Sequence, residues 1–288
     1  MTYIVHDPND RWILYRRIAW NIVRYFLIIV ITLFFAFPVF WVVSTSFKEP
    51  EEYLSSPPTY IPQAPHFNHY LRAMGEAGDG RKALEDSLIV TVGATALTLI
   101  IGATTAYSLA RFDTGGNNLS FWILSQRILP PVAIILPVFL LYRSIGLIDT
   151  HIGLILLYTV INLPLCIWML RSYINDIPLE IEESAMIDGA NRQQVLRLVV
   201  LPLVAPGLTA TTIFIFIFSW TEFVFALVLS RNNILTLPVL VSRFFSTQSY
   251  EWGVASAVAV IATLPVVILG LLVQKHFVRG MTMGAVRE

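Results

Sequence analysis

Charge is scarce in this sequence. Only 13% of its 288 residues are Asp, Glu, Lys or Arg, against roughly 25% in soluble domains. Hydrophobic residues make up 56%, and the mean hydropathy is +0.69. A chain with so little charge to set against water reads as a polytopic membrane protein. The 19 bases balance the 19 acids, so there is no basic excess to attract a nucleic acid. The single cysteine, Cys166, excludes an internal disulfide and any cysteine-based metal set. It reads as a small apolar residue inside a span. There is no GxxxxGK[ST] phosphate loop, no HExxH, no nucleophile elbow and no carboxylate pair with a nearby histidine. Any energy for work must therefore come from an ion gradient or from another subunit. His66 and His69 have no third ligand nearby and read as surface residues.

What is present is a set of apolar runs, each close to the roughly 20 residues that cross a bilayer. They predict an all-α integral membrane protein with six transmembrane helices, at about 25–47, 87–110, 119–142, 152–170, 204–230 and 252–274. The 119–142 run contains Arg127 and the pair Pro130-Pro131, so a broken or kinked span is expected there. Residues 1–24 carry Arg11, Arg16, Arg17 and Arg24 and read as a cytoplasmic N-terminal segment. The run that follows is too long for a signal peptide and lacks a small-residue cleavage site. Lys/Arg bias in the short loops favours both termini in the cytoplasm. Arg111, Arg171, Arg192, Arg197 and the tail 275–288 fall inside, and Arg143, Arg231 and Arg243 outside. The long outer segment 48–86, with Pro57-Pro58, Pro62 and Pro65, reads as a strap rather than a domain.

This orientation puts a charged island, loop 175–201, in the cytoplasm. Pro178 suits the start of a short helix, capped by Asn175 or Asp176. Glu180, Glu182 and Glu183 then lie near its positive N-terminal end. Ile181, Ala185 and Ile187 give an apolar side, and Gly189 ends the helix. A second short helix over 191–200 would present Val195, Leu198 and Val199, with Pro202 marking entry to the next span. A small-residue surface at Ala185 and Gly189 suits insertion into a partner's groove. An ordinary amphipathic interfacial loop would have the same pattern.

The island resembles the EAA loop of ABC importer permeases. Glu183-Ser184-Ala185 is followed by Gly189 and then by Val199-Val200-Leu201-Pro202. Ser184 stands where the family has a central Ala, and Val199 where it has Ile. The likeness extends to the maltose-type carbohydrate branch and its second permease subunit. It is carried by Thr45-Ser46-Phe47-Lys48, Pro130-Pro131, Gly146 to Thr150, Ser219-Trp220-Thr221-Glu222-Phe223, and Gly280 with Gly284 to Arg287. The family usually has Asn where Thr221 stands. The resemblance implies a homologous second permease, two ATP-binding cassette subunits and an extracytoplasmic sugar-binding protein, with membrane lipid around the spans. ATP and Mg would sit on the cassette subunits, so this chain would hold no cofactor and catalyse no reaction. Glu183, Ser184, Ala185, Asp188 and Gly189 would couple to the ATPase, and Gly284, Val286 and Arg287 would form a tail contact.

Glu222 is the most informative residue within a span, because a carboxylate at membrane depth is costly. Beside it, Trp220 and Phe223 offer ring faces to a sugar, and Thr221 and Glu222 offer hydrogen bonds. Glu222 reads also, and more readily, as a structural partner of Arg127, Arg143 or a sister subunit. Asn162 is a second path candidate, or a bonding partner for carbonyls left free by Pro164. An ion-coupled transporter that uses Glu222 is the alternative from another class.

Overall fold

The computed structural model describes residues 8–75, 78–112, 114–244 and 251–283. Gly284, Val286 and Arg287 lie outside the described residues. Helices account for all the regular structure among the described residues.

In chain order come α1 (Pro8–Thr45), α2 (Pro50–Tyr53), α3 (Asn68–Met74), α4 (Gly80–Arg111), α5 (Gly116–Ser125), α6 (Pro131–Ser144) and α7 (His151–Asn175). Then follow α8 (Leu179–Ile187), α9 (Arg192–Gln194), a π-helical segment (Val195–Val200), α10 (Leu201–Leu203) and α11 (Ala205–Trp220). The chain continues with α12 (Val224–Leu229), α13 (Leu237–Phe244) and α14 (Trp252–Met283).

Four helices are long and apolar enough to cross a membrane unaided: Tyr15–Thr45, Gly80–Arg111, His151–Asn175 and Trp252–Leu272. Two bent pairs raise the total to six if each counts as one crossing. The first bends by 93° between Asn118–Ile128 and Pro131–Ser144. Pro130 is extended there (φ −63°, ψ 132°), so the helix ladder stops and restarts on Pro131. The second bends by 83° between Arg192–Leu203 and Ala205–Trp220. The run expected over 204–230 is not one helix. It ends at Trp220, crosses a break at 221–223 and resumes as α12. Entry to α11 lies at Val204, beyond Pro202, which sits within α10.

The centre of the fold is the pair α4 and α7, which run parallel. Asp86 meets His151, Thr159 meets Ala94, Cys166 meets Thr98, and Arg111 meets Ile174, in the same order along both helices. Small side chains allow the close approach: Ala94, Thr98, Gly102, Ala103 and Ala106 are all buried on α4. A Cβ at Gly102 would run into Cys166 Sγ, so a larger residue there would force the thiol or one of the helices to shift. One core cluster surrounds the C-terminal ends of this pair, with Tyr107, Leu170, Ile174, Val195 and Val200. Another, with Leu154, Tyr158, Phe225 and Leu229, packs nearer their N-terminal ends. In contrast, none of the most apolar stretch of α1 is buried by the rest of this chain.

Candidate functional site

Helix α8 lies past the C-terminal end of α7. Its N-cap is Pro178 itself, extended at φ −56° and ψ 135°. Asn175 and Asp176 do not cap it, because α7 continues to Asn175 and takes Asp176 as its own C-cap. At the other end the N–H of Gly189 donates to Met186 O at 3.1 Å, and that of Ala190 to Ala185 O at 3.0 Å. This is a Schellman stop, and Gly189 adopts the left-handed φ of +93° that it needs.

The helix has two distinct faces. Glu183, Ser184, Ile187 and Asp188 are exposed, Ile187 at 86%. Ala185 and Met186 turn inward against the core around Ile174 and Val195. Ala185 is half-buried, one side packed on this chain's own core. Of the apolar side expected at Ile181, Ala185 and Ile187, the two isoleucines face out.

The inward face also contains Glu182, which is fully buried. Its Oε1 accepts from Arg111 Nε at 2.5 Å, and its Oε2 from Tyr107 Oη at 2.8 Å. Arg111 Nη2 donates in addition to Ile174 O at 2.8 Å and Ile177 O at 2.9 Å. One guanidinium thus joins the ends of α4 and α7 to α8. A buried carboxylate without that partner would be an uncompensated charge, so removing either member costs about 3–5 kcal/mol. Sequence reasoning placed Glu182 with its neighbours at the helix dipole and missed the clamp. The available signal was the lone arginine in the last turn of α4.

Behind α8, Asn191 and Gln194 form a reciprocal capping box, with bonds of 3.0 and 2.7 Å. The π turn that follows buries Val195, Leu196 and Val200. Its extra residue per turn rotates the register, so Leu198 points outward at 71% exposure, and Val199 is only half-buried.

A cavity of about 620 Å³ opens near the break in the 119–142 region. Arg127, Tyr158, Asn162, Phe218 and Glu222 are among its walls. Asn162 is a buried hub: Nδ2 donates to Tyr158 O at 2.9 Å and to Ser219 Oγ at 3.1 Å, and Oδ1 accepts from Arg127 Nη1 at 3.3 Å. Arg127 also donates to Ile161 O at 3.2 Å and stacks 4.5 Å from the Phe218 ring centroid. Glu222 Oε1 accepts from the N–H of Phe225 at 2.7 Å and so caps α12. Arg127 and Glu222 share this cavity without an ion pair, and Arg143 does not pair with Glu222 either.

The structure brings Asn162 and Glu222 together and separates them from Trp220 and Phe223. Trp220 is buried, stacks on Phe216 and donates Nε1–H to Ala262 O of α14 at 2.8 Å. Phe223 packs against that same core. Thr221 is exposed, with its hydroxyl bonded back to Ile217 O at 2.8 Å. No group of three or more His, Cys, Asp or Glu that could hold a metal occurs among the described residues.

At the end of the α4–α7 pair remote from α8, Asp149 (φ +59°) holds a loop by its backbone. Its carboxylate accepts from the N–H groups of Arg231, Asn232, Asn233 and Ile234 at 2.8–3.1 Å. Partial burial acts to raise the Asp149 pKa, but the four backbone donors outweigh it and hold the carboxyl below its usual range. Asp86 joins the same staple, accepting from the N–H of Leu235 at 2.9 Å and lying 2.7 Å from His151 Nε2.

The family model "binding-protein-dependent transport system inner membrane component" matches residues 88–283. The chain belongs to this family. The permease is 36% identical over 253 residues to the sulfoquinovosyl glycerol transport system permease protein SmoH of Agrobacterium fabrum, covering 87% of this chain and 88% of the relative. It is 34% identical over 254 residues to the trehalose transport system permease protein SugB of Mycobacterium tuberculosis, covering 87% and 92%. Its fold matches a chain in the crystal structure of a bacterial ABC transporter involved in the import of the acidic polysaccharide alginate. The TM-score is 0.77 at 24% identity, covering 96% of this chain and 100% of that one. The permease is a multi-pass protein of the inner membrane. The ion-coupled alternative built on Glu222 finds no support in this family, and in the structure that carboxylate is engaged as a helix cap.

Proposed function

We propose that this permease is one of two homologous membrane subunits of an ATP-driven importer for a carbohydrate or a related polyol or sugar derivative. It crosses the bacterial cytoplasmic membrane six times, each bent pair counting as one crossing, with both termini inside. Helix α8 is the coupling helix. Glu183, Ser184, Asp188 and Gly189 lie on or beside its docking face, and Ala185 seats it from behind. Gly284, Val286 and Arg287 add a tail contact. Two ATP-binding subunits, which bind the ATP and Mg, each receive one coupling helix. An extracytoplasmic binding protein delivers the cargo.

One observation carries this reading: the exposed stripe of Glu183, Ser184 and Ile187 on a helix whose opposite face is locked by Glu182. An apolar side chain as exposed as Ile187, beside charge and outside the spans, fits a soluble partner better than lipid. The clamp turns movement of that partner into movement of α4 and α7 together. A ligand that biases one of two states in this way is the physical content of coupling. Asn162 and Glu222 line the path on this reading. Its cargo class rests on relatives named for sulfoquinovosyl glycerol and trehalose transport. Uptake by proteoliposomes containing the assembled importer tests it. Accumulation of a radiolabelled sugar should require internal ATP and the binding protein, and should survive collapse of ion gradients. Uptake that persists without the ATPase subunits would refute it.

A further inference from the structure

We infer that the strap between α2 and α3 is a lipid anchor: it turns back along α1 and seats Tyr60 and Ile61 in the outer leaflet of the bilayer. The inference lies outside the transport cycle. It rests on α1 crossing the membrane with its C-terminal end outside.

The first observation is depth. Helix α1 stays apolar from Phe37 through Val43 and turns polar at Ser44, Thr45 and Ser46. That change marks where the helix leaves the hydrocarbon, with Trp41 one turn below it, at the level where aromatic belts sit. A strap leading away into water would touch nothing below that point. Instead Ser44 Oγ donates to Tyr60 O at 2.5 Å, which fixes the strap backbone at the boundary. The Tyr60 ring centroid lies 5.9 Å from that of Trp41 and 6.5 Å from that of Phe37. Along the helix these two residues are about 5 and 10 Å deeper than Ser44.

The second is the character of the tip. Residues 53–65 include no Asp, Glu, Lys or Arg. Leu54, Tyr60 and Ile61 are exposed there, Ile61 at 72%. Their surface continues the apolar face of α1, where Phe34, Phe37 and Phe40 are also exposed.

The third is the backbone. Irregular chain enters the membrane boundary only where its polar groups are met from within. Pro57, Pro58 and Pro62 have no N–H to satisfy. Glu52 closes the loop on itself: its carbonyl accepts from Thr59 Oγ1 at 2.7 Å and Ser55 Oγ at 2.9 Å, and its Oε1 from the N–H of Gln63 at 3.0 Å. Lys48, at the root of the strap, is fully buried with Nζ 4.2 Å from the Trp41 ring centroid, so its charge is held against an aromatic face.

The test places a nitroxide at Ile61→Cys, and separately at Tyr60→Cys and Arg81→Cys. The assembled importer is reconstituted in vesicles of phosphatidylcholine and phosphatidylglycerol. ATP-driven uptake by each variant reports that the labelled protein is assembled, and buried Cys166 leaves little background. Power saturation compares collisions with oxygen, which concentrates in lipid, and with a water-soluble nickel chelate. The ratio of oxygen to nickel collisions at positions 60 and 61 should exceed that at exposed position 81 by at least about tenfold, the partitioning of one isoleucine-sized apolar side chain. Ser44→Ala, which removes the tether to Tyr60 O, should move the ratio at 61 part of the way to the aqueous value. A ratio at 60 and 61 equal to that at 81 would overturn the inference, since the strap would then lie in water. Shielding from both reagents would also overturn it, because the sister permease would then cover the tip. So would shielding that develops only when the binding protein is added. None of these outcomes touches ATP-driven uptake, on which the functional reading stands.

Discussion

The two ends of the α4–α7 pair each fasten a connecting segment with carboxylates, by different chemistry. At the α8 end, Glu182 is fully buried and bonded to a guanidinium and a phenol. At the other end Asp86 is buried beside His151, but the acid that holds the 231–234 loop, Asp149, is only half-buried and accepts four backbone N–H groups from residues 231–234, three of which are exposed. A dry carboxylate needs a counter-cation, and the pair then behaves as one rigid part. A wet carboxylate can hold a loop through the backbone, at lower cost and with water as a substitute. The difference places the stiff joint beneath the helix proposed to take force and the softer staple at the opposite face.

The largest expected effect follows from breaking the stiff joint. Glu182→Ala leaves Arg111 buried without its anion and should destabilise the α8 region by about 3–5 kcal/mol. Hydrogen exchange of the α8 amides should rise steeply, and ATP-driven uptake should fail. Unchanged protection in α8 would show that the clamp is not what holds it. Next comes Gly189→Ala, which forces a side chain into the left-handed region at an expense of about 1–2 kcal/mol. Space is not the obstacle, since a Cβ there meets no atom within 4 Å. The expected result is partial loss of ATPase stimulation by the binding protein, with membrane insertion intact. Stimulation at the wild-type level would mean that the helix stop is dispensable.

The soft staple should yield less. Asp149→Asn should cost about 1 kcal/mol, because exposed N–H groups turn to water. Its pH dependence has a definite sign. The folded carboxyl titrates below the ordinary value of 3.8. The stability it contributes is complete above that value and is lost as the pH falls through the lower, folded pKa. Thermal unfolding of wild type and Asp149→Asn should therefore converge as the pH drops below about 4. A gap that widens on acidification would contradict the assignment. Smallest of all, Ser184→Ala should change stability by no more than about 0.5 kcal/mol, since its hydroxyl bonds only to Glu180 O on the exposed face. A larger loss in a melting experiment would mean that this face is not free in the isolated subunit.

The sequence made the helical class, the apolar runs, the proline break at Pro130 and the glycine stop at Gly189 readable, because each follows from local chemistry. It did not reveal which acid of the island turns inward. Glu180, Glu182 and Glu183 differ only in helical phase, and the apolar residues that usually report phase, Ile181 and Ile187, point away from this chain. Their exposure makes sense only with a partner, which hydrophobic periodicity within one chain does not reveal. The cavity was half legible. Asn162 and Glu222 were recognised as polar groups at membrane depth. Trp220, two residues from Glu222, was grouped with it because nothing local shows that α11 stops there and the indole packs onto α14. Asp149 lay within the Gly146–Thr150 motif, but its four partners are more than eighty residues away in sequence.

The central claim is that the outward face of α8 docks on an ATP-binding subunit while its inward face stays clamped. Site-directed crosslinking tests it most directly, and Cys166 offers little background because it is fully buried. In the assembled importer, Ile187→Cys should crosslink to a cysteine in the α8-binding groove of the ATPase subunit, and the yield should change between nucleotide-free and ATP-bound states. No crosslink from Ile187→Cys, nor from Glu183→Cys or Ser184→Cys, in any nucleotide state would contradict the account.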